Sequence, residues 1–207
     1  MIESLAVLSC SMAIEDRRES ERAARRRLIV TTARKLAEAE GWDAVTTRRL
    51  STEIEYSQPV LYKHFTGMEQ IAEAVAIDGF GELVDVIRAA RSRAGTAGDG
   101  PTRIAHAYLD FARDNPAVYD AMFTRATTLR FAAQDTPPEL TAAFAELRQA
   151  VGVVADEHDA DALTEMFWAA LHGLVTLTGA GRLRPGYDSE RLQLLVNEFT
   201  SRRETIR

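Results

Sequence analysis

The sequence predicts an all-α protein with a small N-terminal three-helix head joined to a larger helical body. Three observations lead there. Apolar residues recur three and four positions apart through most of the 207 residues, the period of a helix with one buried face. No segment shows the strict alternation of a half-buried strand. Thr, Ser, Asp and Pro stand at the starts of the periodic runs and Gly at several of their ends, where helices favour them.

Residues 1–18 read as a disordered arm. Leu5 to Cys10 faintly resembles the end of a lipoprotein leader. Glu3 precedes it, no Lys or Arg does, and the run is short for a signal core of ~7–15 residues. A tail, or a start at Met12, is expected instead. From about Glu19 to Glu40, Leu28, Ile29, Ala33, Leu36 and Ala37 share one helical face, and Gly41 ends the helix as its C-cap. The next stretch, Thr46 to Phe65, reads TTRRLSTEIEYSQPVLYKHF. Thr46 can cap a first short helix by accepting from its free N–H groups. Leu50 and Ile54, four apart, give that helix an inner stripe. Glu55-Tyr56-Ser57 breaks the pattern, Ser57 can cap a second helix, and Pro59 sits in its first turn, where a missing N–H costs little. Helices at roughly 47–54 and 58–65 joined by a short turn make a helix-turn-helix, whose second helix can enter a DNA major groove.

Thr66-Gly67 restarts the chain, and Ile71, Val75, Phe80, Leu83, Val84 and Ile87 mark a long connecting helix to about Arg93. Gly95 to Gly100 is the clearest linker. Pro101 opens a helix to about Asp114, Asn115-Pro116 turns the chain, and a short helix carries Tyr119, Met122 and Phe123. Residues 124–136 fit either a short helix or a buried loop. Pro137-Pro138 opens the next helix, Asp159 or Asp161 the one after, and a last helix follows Pro185-Gly186. The expected units are thus the arm (1–18), the head (19–66), the connecting helix (67–94) and the body (95–207).

Composition narrows the function. The single Cys10 excludes an intrachain disulfide framework and a cysteine-rich zinc site, and it fits a reducing cytoplasm. No apolar run approaches the ~18–20 residues of a membrane span. Net charge is −6, yet residues 15–65 hold eleven Arg/Lys against nine Asp/Glu, leaving −8 elsewhere. An acidic body with a mildly basic head can meet DNA by one end only, with weak and salt-sensitive non-specific binding.

Gly41, Thr46, Leu50, Ser57, Leu61-Tyr62 and His64-Phe65 resemble the signature of the TetR family of transcriptional regulators. The resemblance covers roughly residues 20–75. It departs at the turn, where Glu55 replaces the usual glycine and Ile54 a common alanine, and at Met68, which replaces the lysine that opens the fourth helix. In the body, Trp168-Ala169-Ala170-Leu171-His172-Gly173 resembles the tryptophan-x-x-x-histidine-glycine box of one ligand-domain class of that family, and Asn115-Pro116 to Phe123 resembles the segment ahead of it.

The resemblance assigns the second short helix to the major groove. Gln58 can pair with adenine and Pro59 can meet a thymine methyl. Ser57, Tyr62, Lys63 and His64 stand nearby as contact candidates, with Tyr62 and Lys63 toward phosphate. Arg48 or Arg49, Thr46 and Arg25 are further DNA candidates, and Arg25–Arg27 fit a solvated helix face equally well. Leu61 and Phe65 are read as head core. A homodimer would set two heads on a palindrome. The helices near 138–156 and 160–182, with Phe144, Leu147, Val151, Leu171 and Val175, are candidates for its four-helix interface or for intrachain core. A pocket for a small apolar effector is expected among Tyr108, Phe111, Tyr119, Met122, Phe123, Phe131, Met166, Phe167 and His172, any of which can equally be core. No cofactor or metal is expected. An enzyme is disfavoured, because His106, His158 and His172 fall on separate segments without a nucleophile, phosphate loop or metal motif. A helical ligand binder whose head no longer binds DNA is the other alternative.

Overall fold

The computed structural model describes residues 2–93, 99–126, 129–131, 133–155 and 159–200, with side chains from Glu15 onward. The linker expected at Gly95–Gly100 lies largely outside them, as does His158. The described residues form helices and connecting turns, with no strand. In order they are α1 (Ile2–Glu40), a 3-10 turn (Trp42–Ala44), α2 (Thr47–Glu53), α3 (Gln58–Tyr62), α4 (Met68–Ser92), α5 (Gly100–Asp114), α6 (Pro116–Asp120), α7 (Pro138–Val151), α8 (Ala160–Gly179) and α9 (Asp188–Thr200). The main difference from expectation is at the start. Helix α1 begins at Ile2, so its span includes the stretch 2–18 expected as an arm.

The local signals place the helix ends. Gly41 closes α1 with φ +83°, a conformation that suits a residue without Cβ. Thr46 Oγ1 accepts from the N–H of Arg49 at 3.1 Å, as its capping role requires. Asp159 does the same for α8, accepting from Asp161 and Ala162 at 2.9 and 2.8 Å. Ser57 occupies the N-cap position of α3, but its side chain makes no cap bond. The α-helical part of α3 stops at Tyr62, short of the expected end at 65. His64 and Phe65 continue only as turns, both donating to the carbonyl of Leu61. After Asp120, α6 loosens into a π turn over Ala121–Arg125.

Helix α4 is the spine. It packs along α7, α5 and α6, and it also meets α1. Buried Ile71, Val75, Phe80, Leu83, Val84 and Ile87 face the interior, as their spacing predicts. At Gly79 the α4 backbone approaches α6 so closely that an added Cβ would lie 2.4 Å from Cγ1 of Val118 and 2.9 Å from Sδ of Met122. Between α4 and α7, the buried carboxylate of Glu146 accepts from Arg88 at 2.9 Å and pairs with Arg91 at 3.0 Å.

The head is fastened to the body through α1. The Glu38 carboxylate accepts from the first-turn N–H groups of α6, Ala117 at 3.1 Å and Val118 at 3.0 Å. These are donors that a helix start leaves unsatisfied. Trp42 Nε1–H donates to the Ala117 carbonyl at 2.9 Å. Arg34 pairs with Glu82 of α4 and also donates to Asn115 Oδ1 at 2.9 Å.

Candidate nucleic-acid interface and effector site

Leu50, Ile54, Leu61 and Phe65 are buried and set α2 against α3 and α1. That packing leaves Gln58, Pro59, Tyr62 and Lys63 exposed on the short α3, with Tyr62 53% accessible despite its size. An exposed aromatic beside a lysine and a glutamine suits a polyanion better than a protein core. The turn before α3 is bought at a conformational cost. Glu55 sits at φ +55°, the position where a glycine was missed in the sequence. An L-residue held there costs about 1–2 kcal/mol. Glu55→Gly is therefore expected to stabilise the head by about 0.5–1 kcal/mol after the extra chain entropy of glycine. Thermal unfolding at matched protein concentration checks it, and an unchanged or lowered midpoint counts against the strain.

The basic candidates separate into free and committed groups. Arg48 is exposed, whereas the Arg49 guanidinium is held by Glu53 at 2.9 Å and Glu40 at 3.0 Å. Its hydrogen bond to Glu53 leads the causes that hold it more firmly protonated than usual. Arg25 and Arg27 are exposed on α1. Arg26 donates to the His64 carbonyl at 2.8 Å and lies 4.1 Å from the Phe65 ring centroid, so it ties α1 to the end of α3. His64 itself is only half exposed, and its Nδ1 is buried without a partner. Burial, then the positive charges of Arg22, Arg25, Arg26 and Lys63, lower its pKa.

In the body, a cavity of about 760 Å³ opens between α5, the α6 region, α8 and α9. Three of the expected wall residues, Tyr119, Phe123 and His172, line it, with Leu109, Val175 and Leu192. The other expected walls do not. Tyr108, Phe111, Met122 and Phe167 are buried in the interior, and Met166 is 62% exposed on the outer face of α8. Phe131, the remaining expected residue, and the inner side of Phe123 pack with Phe80 and Trp168 in an aromatic cluster. Phe80 meets Phe123 at 5.5 Å between centroids and Phe131 meets Trp168 at 4.8 Å. The space left among them is about 10 Å³, room for about one water and no effector.

A chain of polar groups runs from this aromatic interior to the cavity. Trp168 Nε1–H donates to Tyr108 Oη at 3.1 Å, Tyr108 Oη is 2.9 Å from Tyr119 Oη, and Tyr119 Oη is 2.7 Å from His172 Nδ1. Nε2 of His172 faces Thr176 Oγ1 at 3.4 Å. Burial raises the Tyr108 hydroxyl to about 12, raises Tyr119 further, and lowers His172. All three groups are therefore neutral at physiological pH.

The pattern described as "Bacterial regulatory proteins, tetR family" matches residues 29–75, and "Tetracyclin repressor-like, C-terminal domain" matches residues 102–198. Over 162 residues the chain is 32% identical to the HTH-type transcriptional regulator Rv0681 of Mycobacterium tuberculosis, covering 75% of this chain and 71% of that one. The protein belongs to the TetR family. It is an HTH transcriptional regulator with a C-terminal ligand-binding domain. YobS of Bacillus subtilis, another HTH-type regulator, is 35% identical over 96 residues, 46% of this chain and 49% of that one. The fold resembles solved structures, including a Rhodococcus protein of unknown function (TM-score 0.68, 23% identity, 85% and 93% of the two chains). The TetR family regulator PfmR of Thermus thermophilus is another (TM-score 0.58, 17% identity, 84% and 97%).

Several of the residues expected at either a dimer interface or the intrachain core lie in the core. Leu147, Val151 and Leu171 are buried inside the subunit, because α7 lies between α4 and α8. Phe144 is half-buried beside the small aromatic space, and Val175 lines the large cavity. The apolar face left open is the other side of α8. Ala162, Met166, Ala169, Gly173 and Leu177 follow one another at three- and four-residue steps along it, with Leu194 exposed on α9. Sequence reading also missed Glu38 and Trp42. Both lie in helical or capping sequence, with no periodic signal to mark a bond made some 75 residues away.

Proposed function

We propose that the protein is a homodimeric repressor that acts on chromosomal DNA in the cytoplasm and leaves a palindromic operator when a small, mainly apolar effector enters the cavity between α5, α6, α8 and α9. The observation that carries the reading is the double attachment of α6. Its first turn holds the DNA head through Glu38 and Trp42, and Tyr119, one residue beyond Val118, lines the cavity. A ligand that moves Tyr119 changes the seat of α1. It releases DNA to the extent that it binds the altered head spacing more tightly.

The dimer is supported by the exposed apolar face of α8 and α9, which is suited to four-helix packing with a second copy. On DNA, Gln58 and Pro59 read bases while Tyr62, Lys63, Arg48, Thr46 and Arg25 fix register on phosphates. The test is binding to DNA upstream of the protein's own gene and its neighbours, with a salt titration and a scrambled control. Selective, salt-sensitive binding with a palindromic footprint is expected. Gln58→Ala should weaken it by about 1–3 kcal/mol per half-site and relax base preference, whereas Lys63→Ala should weaken all sequences alike and flatten the salt dependence. Failure on those fragments and on a randomised library at low salt would leave a ligand binder with a non-functional head.

A further inference from the structure

The hydrogen-bond chain behind the cavity has only one consistent direction. Trp168 Nε1–H can donate but not accept. Tyr108 is fully buried, and its oxygen already accepts from Trp168. The hydroxyl proton of Tyr108 therefore goes to its other neighbour, Tyr119 Oη. Tyr119, accepting there, gives its own proton to His172 Nδ1. Nδ1 is thus the acceptor, and the ring proton resides on Nε2. Protonating Nδ1 would reverse Tyr119 and strand the Tyr108 proton in the interior, which costs about as much as any unsatisfied buried donor. The lowered pKa of His172 agrees with this.

The Nε2–H so fixed is only loosely used within the protein. Thr176 Oγ1 stands at 3.4 Å, and the Thr176 hydroxyl proton is already given to the His172 carbonyl at 2.9 Å. The full charges around the cavity are committed elsewhere. Asp110 pairs with Arg113 at 2.8 Å, Asp120 with Arg125 at 2.6 Å and Asp188 with Arg191 at 2.7 Å. A charged ligand here would have to share a cation that an aspartate already neutralises, as Arg113 is by Asp110 and Asp114. His106, also on the wall, is exposed to solvent.

We infer that the effector is an uncharged, largely apolar molecule presenting a carbonyl-type acceptor oxygen (ketone, ester or amide) to Nε2–H of His172. This rests on the reading of the cavity as the effector site. The test uses matched ketones, carboxylates, ammonium compounds and hydrocarbons built on linear, monocyclic and bicyclic apolar frames, with binding followed by calorimetry and by Trp168 fluorescence. At least one ketone should bind more tightly than its carboxylate and ammonium partners. His172→Phe should weaken it by about five- to tenfold, the worth of one hydrogen bond.

Because a substitution at His172 can disturb folding, the ring tautomer of the unsubstituted protein is read by nitrogen NMR. The proton should lie on Nε2 and shift when the ketone binds. A carboxylate or ammonium compound as the tightest ligand, no ketone binding on any frame, unchanged ketone affinity in a folded His172→Phe, or a proton on Nδ1 overturns the inference. Operator binding is measured separately. Ketone binding through His172 without any operator binding overturns the regulatory reading and leaves the ligand assignment standing. Operator binding with no ketone bound overturns the ligand assignment alone.

Discussion

Met166→Arg is expected to separate the dimer into folded monomers and to lower operator affinity by about 10²–10⁴-fold, the gain normally supplied by linking two weak sites. Met166 is 62% exposed on the subunit and lies in the first half of the open face of α8, between Ala162 and Ala169. Its replacement removes little packing inside the subunit, so the folded monomer should survive. Two symmetry-related copies would instead bring two guanidinium groups together at the centre of an apolar contact. Desolvating like charges without partners is among the most costly changes an interface can suffer. Sedimentation velocity gives the oligomeric state and operator titration the affinity. A dimer of undiminished stability would move the interface away from α8. A monomer that still binds operator at full strength would remove the need for two heads.

The contrast between Met166 and Leu171 shows where sequence ceases to inform. Both are apolar residues of one helix, and helical spacing alone makes either a candidate for core or interface. Leu171 is fully buried because it faces the interior of its own subunit, whereas Met166 faces away. Which face meets which depends on the packing order of α4, α5, α7 and α8, and that order is not written in any one segment. The head was legible because its information is local. Thr46 caps α2, Leu50 and Leu61 form its core, Pro59 opens α3, and even the misfit of Glu55 at a left-handed turn could be read from its position. Of the residues expected around a ligand or in the core, Tyr119, Phe123 and His172 line the cavity and Tyr108, Met122 and Phe167 are buried, divided by the same rule that separates Met166 from Leu171. An aromatic residue that walls a ligand space and one that fills a core have the same chemistry, and only the partner across the gap distinguishes them.

Glu38→Ala is expected to have the second large effect, on stability and on signalling together. The carboxylate satisfies two N–H groups at the start of α6, Ala117 and Val118, in a partly buried seam. Its loss leaves both donors without their acceptor, at about 1–3 kcal/mol for each that water does not reach. With about 2–4 °C per kcal/mol for a chain of this size, the unfolding midpoint should fall by several degrees. Glu38→Gln keeps an acceptor oxygen and should recover part of this loss. The effect on regulation follows from position. Trp42 still donates to the Ala117 carbonyl at 2.9 Å in the intact protein, and Arg34 still reaches Asn115, so the head should remain attached, though less firmly. The effector cavity is lined by Tyr119 and His172 and does not include Glu38 itself, so effector affinity should change less than the coupling of effector and operator sites does. What should decline is the coupling between the two, measured as the ratio of operator affinities with and without effector. A variant that lost stability but kept that ratio intact would make Glu38 a structural clasp and place the signal on α4 instead, where Gly79 brings Val118 and Met122 against the helix that leads from the head.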